Sequence, residues 1–186
     1  MNPNFTSSPA YQQGYNLPNL PGTLYRTATQ MNMQSSQYTG RIASTETNTL
    51  YLGSVVTLSE NNGGVLDFVR ASATTPLTND VFIISPLTPN IRQAGFSSQI
   101  TDPLDAYRGQ SITTIKLTQG VEIMMRVTGV IALNDELMVD NTIASRDVLI
   151  KYVNDGTNVP VAKALQSYNG SDANNIIVVV ARVGKY

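Results

Sequence analysis

The chain has 186 residues, a formal net charge of −1 and only 13% charged residues, about half the usual share, so much of its surface is expected to face partners. Cys, His and Trp are absent, which removes disulfides, thiolate nucleophiles, Ser-His-Asp triads and imidazole metal ligands, and leaves the redox compartment open. Twelve Lys and Arg against thirteen Asp and Glu leave no basic footprint for nucleic acid, and no stretch approaches the roughly 18 apolar residues of a membrane-spanning helix.

From Met1 to Asn48 the charged residues are Arg26, Arg41 and Glu46; the rest is Asn, Gln, Ser, Thr, Pro, Gly and scattered Tyr. Such a lead buries too little apolar surface to fold alone, yet carries too little charge for a self-repelling tail. Pro3, Pro9, Pro18 and Pro21 favour extended backbone. The expectation is an extended N-terminal arm over 1–48, disordered in isolation and ordered on another surface, ahead of a β-rich body over 49–186. Tyr11, Tyr15, Tyr25 and Tyr38 are its candidate partner-binding anchors, because Tyr supplies large contact area at low rotamer cost. The plainer reading makes them part of a solubilised chain. The N-terminus shows neither the basic nor the apolar region of a secretory signal, so the product is expected to stay where it is made until it assembles.

Beyond Thr49 the apolar segments are short and rich in β-branched residues, with no sustained helical period. Strands are expected at 50–58, 65–70, 81–87, 111–117, 121–127, 130–133, 137–139, 148–153, 162–166 and 176–183. Asn61-Asn62-Gly63-Gly64, Asn134-Asp135 and Asn154-Asp155-Gly156 punctuate them as turns. Thr118-Gln119-Gly120, between two alternating runs, predicts a hairpin. Residues 85–109, with Pro86, Pro89 and Pro103, predict a long excursion holding a helical turn near 102–107. Met124-Met125 is expected to split between core and surface, and 176–183 must be a central or subunit-paired strand, since on a bare edge it would aggregate. The fold class is all-β, a compact antiparallel sandwich or barrel, jelly-roll-like topology included.

Chemistry has few carriers. Asp135, Glu136 and Asp140 form the nearest carboxylate cluster, but adjacent strand residues point to opposite faces, a poor arrangement for a paired acid and base. Calcium could use Asp135 and Asp140, or Asn154-Asp155-Gly156-Thr157-Asn158, as oxygen ligands. The simpler reading of each is a polar turn. No phosphate-cradling glycine motif occurs. The expectation is no enzyme, no catalytic residue, no metal and no cofactor.

Read together, residues 50–183 resemble the bacteriophage capsid decoration proteins, the structural cement of phage heads. The resemblance rests on Gly53-Ser54-Val55-Val56-Thr57-Leu58, on Leu117-Thr118-Gln119-Gly120-Val121-Glu122-Ile123-Met124-Met125, and on Thr128-Gly129-Val130-Ile131-Ala132-Leu133 with the residues that follow. It closes with Pro160-Val161-Ala162-Lys163-Ala164-Leu165 and the Val-rich end. The chain departs from that pattern with Asn134-Asp135-Glu136 in place of a Gly-Asp. The resemblance implies a homo-oligomeric virion protein, dimer or trimer, that leaves the host cytoplasm to bind the major capsid protein on the capsid exterior at capsomer junctions. A segment such as 39–48 would add to a neighbour's sheet edge. The alternative readings are a receptor- or glycan-binding head-fibre or adhesin module, a carboxylate-dependent hydrolase and a self-assembling shell or tail-tube subunit.

Overall fold

The computed structural model describes residues 21–22, 24–26, 37–76, 80–85, 109, 111–140, 148–169 and 177–184. Every regular element among them is a strand: β1 (Leu24–Arg26), β2 (Gln37–Ile42), β3 (Val55–Asn62), β4 (Val65–Arg70), β5 (Val81–Ile84), β6 (Ser111–Lys116) and β7 (Glu122–Val127). They continue with β8 (Val130–Ile131), β9 (Glu136–Val139), β10 (Leu149–Lys151), β11 (Ala162–Ala164), β12 (Tyr168–Asn169) and β13 (Ile177–Val183). The expected all-β class is what the chain forms.

Two rings of strands organise the molecule. The first closes as a barrel in the order β2-β4-β3-β5-β6. Its tightest local unit is the β3/β4 hairpin, where Gly63 and Gly64 have φ of 63° and 90°. Two positive φ values in a two-residue loop match the right-handed twist of the strands it joins. The barrel closes through β2, antiparallel to β6 from Gln37↔Ile115 to Arg41↔Ser111 and parallel to β4 at Arg41↔Asp67 and Ile42↔Phe68. Ile42, Val56, Phe68, Phe82, Ile84 and Ile112, one or two from each strand, fill one cluster with Leu50 and Leu52 from the connection before β3. Gly40 leaves room for this filling, because a Cβ there would lie 2.4 Å from the Phe68 ring and 2.5 Å from Leu66 O.

The second ring runs β7-β10-β9-β11-β13, and β13 returns to β7. β13 is internal, paired with β7 from Ile177↔Val127 to Arg182↔Glu122 and with β11 from Ala162↔Val183 to Ala164↔Ala181. That is the central position its sequence demands. Ile123, Met125, Val127, Leu137, Val139, Leu149, Ala162, Ala164, Val179, Ala181 and Val183 form its core. Val55, Val81, Ile83, Ile115 and Leu117 of the first barrel belong to the same cluster. They alternate along their strands with the barrel-filling residues, so β5 is buried on both faces (Val81–Ile84). One hydrophobic cluster therefore spans both rings, beside the one that fills the first barrel.

Several expectations change. The 1–48 arm overlaps β1 and β2: β2 is a barrel stave with both edges paired inside its own chain, so a segment beginning at 39 is not available to a neighbour's sheet. Thr118-Gln119-Gly120 does not close a hairpin, because β6 pairs with β2 and β5 while β7 pairs with β13, β1 and β10. It is the passage from one ring to the other, with Gly120 N–H donating to Val183 O at 2.8 Å. The strand expected from 50 begins at Val55 and runs to Asn62; Gly53, at φ 80°, and the Ser54 Oγ acceptor of Tyr51 N–H turn the chain before it. Met124 and Met125 are both buried, because both faces of β7 are covered. The strand expected at 162–166 is present as β11, Ala162–Ala164. The excursion at 86–108 and its helical turn lie outside the described residues.

Candidate functional site

The feature that joins the N-terminal lead to the body is a seam between the rings. After β2's loop, residues 51–54 turn back against β5, with Gly53 N–H donating to Ile84 O at 2.9 Å and Ile84 N–H to Ser54 O at 3.0 Å. Pro21 lies against Gly53: a Cβ built on Gly53 would come within 2.3 Å of the Pro21 Cβ. Gly22 is closer still, since its Cβ would sit 2.1 Å from Ile84 O. On the other side Gly22 N–H donates to Met124 O of β7 at 2.7 Å. β1 then continues along the edge of β7 at Leu24↔Ile123 and Arg26↔Glu122, with a register irregularity between them. Pro21 and Gly22 thus fit a slot with one wall from each ring, at φ 77° for Gly22, a conformation L side chains rarely adopt.

Beside this slot Arg126 of β7 is buried, 1% exposed. Its guanidinium lies 4.1 Å from the centre of the Tyr51 ring, a cation–π geometry that strengthens when water is excluded. Further ties cross between the rings: Arg70 Nη2 donates to Asp140 O, and Val159 N–H to Ala73 O at 2.8 Å. Glu46, also buried, accepts from Asn48 N–H at 2.6 Å and from Arg70 N–H at 2.6 Å, tying the connection after β2 to β4. Proline followed by glycine at the slot carried a turn signal in the sequence. Nothing local in the sequence marks Arg126, whose burial follows from the second face of β7 being covered.

The expected tyrosine anchors divide. Tyr11 and Tyr15 lie outside the described residues. Tyr25 is in β1, so its backbone joins the β7 edge. Tyr38, in β2, packs edge-on against Phe82 with ring centres 5.2 Å apart, within its own barrel. Beyond that ring, Lys116 Nζ pairs with Asp80 and lies 5.9 Å from the Phe82 centre. The hydrogen bond to Asp80 raises the lysine above its ordinary range. On the parallel β2/β4 pair, Arg41 reaches Asp67 at 2.5 and 3.1 Å; that pairing raises the guanidinium further.

Two of the acidic residues weighed in the sequence, Asp135 and Asp155, act as turn caps. Asp135 accepts from Ala132 N–H at 2.8 Å and pairs with Lys151 at 2.9 Å. Burial pushes its pKa up, but these two partners outweigh it and hold the carboxyl below its usual range. Asn134, at φ 71°, takes the left-handed position that Asn tolerates in that turn. Asp155 accepts from Asn158 N–H at 2.8 Å, Thr157 N–H at 2.9 Å and the Thr157 hydroxyl at 2.9 Å. Those donors hold it low as well. Asp140 is buried, on the far side of β9 from these turns, with its N–H donating to Val148 O at 2.9 Å.

No protein-family model matches the chain, and no curated protein matches it. Among solved structures it is similar to the N base of head fiber gp8.5 of bacteriophage phi29, at 10% identity over 81% of this chain and 98% of that one, with a TM-score of 0.43. A likeness of that size leaves the functional reading to the residues themselves.

Proposed function

We propose that the chain is a non-enzymatic structural virion protein that binds the outer surface of an icosahedral phage capsid at capsomer junctions and stabilises the shell. Its partners are the major capsid protein and further copies of itself. The N-terminal residues ahead of Pro21 clamp neighbouring subunits. The observation that carries this reading is the root of the lead: Gly22 N–H on Met124 O and Pro21 against Gly53 fasten it to both rings at once. A segment that ties two bodies together must hand its load to something stiff, and the shared core of the two rings supplies that. The resemblance of 50–183 to decoration proteins supports the same reading. Ordering an extended segment costs about 1–2 kcal/mol per residue, so a large docking surface and several copies acting together are part of the proposal.

The test adds full-length protein, and a chain lacking residues 1–20, to undecorated phage heads. This deletion leaves every described element in place. The expected result is saturable binding and raised heat resistance of the heads with the full chain, and weaker binding with the shortened one. Equal binding by the two removes the clamp role, and absence of binding by the full chain removes the capsid role.

A further inference from the structure

We infer that the seam is a peptide-recognition slot that reads a Pro-Gly turn leading into a short strand, and that Pro21–Gly22 with β1 is its ligand, held in place as a latch. The slot recognises main chain first. One N–H, that of Gly22, meets the Met124 carbonyl at 2.7 Å, and β1 adds a strand to the edge of β7, the mode by which sheets capture extended peptides. Its selectivity is steric. At position 22 any Cβ would fall 2.1 Å from Ile84 O, a backbone atom held in place by its own hydrogen bond from Gly53 N–H. At position 53 any Cβ would fall 2.3 Å from Pro21. Glycine is therefore demanded on both sides of the contact, by the ligand at 22 and by the wall at 53. Both also stand at positive φ, 77° and 80°, so even a small side chain is strained there whatever the space. Proline ahead of the glycine pre-sets the backbone, which lowers the entropy lost on docking.

The rings do not depend on the latch. β1 is three residues long and pairs at two positions with a register irregularity, while the rings have their own pairings and shared cluster beside it. A latch that cannot seat leaves the β7 edge at Glu122 and Ile123 and the carbonyl of Met124 open to another Pro-Gly segment of the same kind. The inference rests on the same seated Pro21–Gly22 that roots the lead in the proposed function, and its test reads the slot without phage heads, so the two fail separately.

The test uses the full chain and a synthetic peptide of residues 19–28. In the Gly22→Val chain the latch cannot seat, and the peptide is expected to bind saturably. The unmodified chain, with its slot filled, is expected not to bind it. A peptide carrying Gly22→Ala is expected to bind the Gly22→Val chain about tenfold or more weakly, the usual consequence of forcing a side chain into a filled space. Equal binding of the two peptides, binding by the unmodified chain, or no binding by a folded Gly22→Val chain overturns the inference. Should that variant fail to fold, amide exchange in the unmodified chain decides: a Gly22 N–H protected from solvent supports the slot, and one exchanging at the rate of a free peptide overturns it.

Discussion

The two rings are built from similar numbers of strands but filled in opposite ways. The first encloses aromatic side chains, with Phe68 and Phe82 edge to face at 5.1 Å and Tyr38 against Phe82, and it uses a glycine at position 40 to make room. The second is filled by aliphatic residues and Met125, with Ala164 facing Ala181 and Ala162 beside them facing Val183. Closed sheets of few strands have little interior, so large residues must be matched by small ones across the ring. One ring places its small residue against aromatics; the other spreads smallness over a patch. The lesson is that equal closure does not mean equal tolerance: the first ring is sensitive to loss of volume at its aromatics and to gain at the single position Gly40, the second to gain across its alanine patch.

The largest test of this contrast is Phe68→Ala, expected to lower stability by about 3–5 kcal/mol through loss of buried surface and the cavity left behind, read from denaturant unfolding. In the second ring Ala181→Leu is expected to cost about 1–3 kcal/mol by overpacking; a neutral outcome would show the alanine patch to be loosely filled and break the comparison. Because one core cluster spans both rings, each of these variants should still unfold in a single transition by any probe, and two separated transitions would show that the rings fold apart. A smaller effect belongs to the rim pair Arg182–Glu122 at 2.7 Å: Glu122→Gln should change stability by no more than about 1 kcal/mol and lose its effect in high salt.

The last prediction concerns acid. Asp135 and Asp155 are both held below their usual range in the folded chain. A carboxylate with a depressed folded pKa stabilises the fold above its unfolded value, and that contribution disappears as pH falls through the folded value. Thermal melts should therefore be flat from neutral pH down to about 5 and fall below about 4. Asp135→Asn and Asp155→Asn should each flatten that acid slope while lowering the neutral-pH melting temperature. An unchanged slope in both would show that other carboxylates dominate.

How much of this was legible depended on whether a residue's role is local. β4 was placed at both ends, because 65–70 follows a glycine turn and is a largely apolar run closed by Arg70. Alternation along β6 and β7 placed Ile115, Leu117, Ile123 and Met125 in the core, but not Met124, which the covered second face of β7 buries as well. The partners of these strands were not legible, because a glycine turn serves a hairpin and a passage between rings equally well. β2 was legible only in part, as a strand-forming segment from 39 assigned to a neighbour's sheet, for a physical reason. Gln37, Tyr38, Thr39, Gly40 and Arg41 lack the β-branched apolar signature, and the strand exists because β4 and β6 offer it two edges and a cavity for Ile42. The slot was half legible: Pro21-Gly22 announces a turn, but its receptor is assembled from Gly53, Ile84 and Met124, which only the fold brings together.

The position of β13 has a consequence for how the chain is made. During synthesis the first barrel has all its strands once Lys116 has emerged, but β7 has only β1 and later β10 beside it until its longest pairing, with β13, becomes possible once residues 177–183 emerge. Until then Val55, Val81, Ile83, Ile115 and Leu117 have no second ring to cover them. The nascent molecule passes through a stage with an apolar face bared to water, the condition in which incomplete β proteins associate with one another. Expression yield should accordingly hinge on β13 more than on any turn among the described residues.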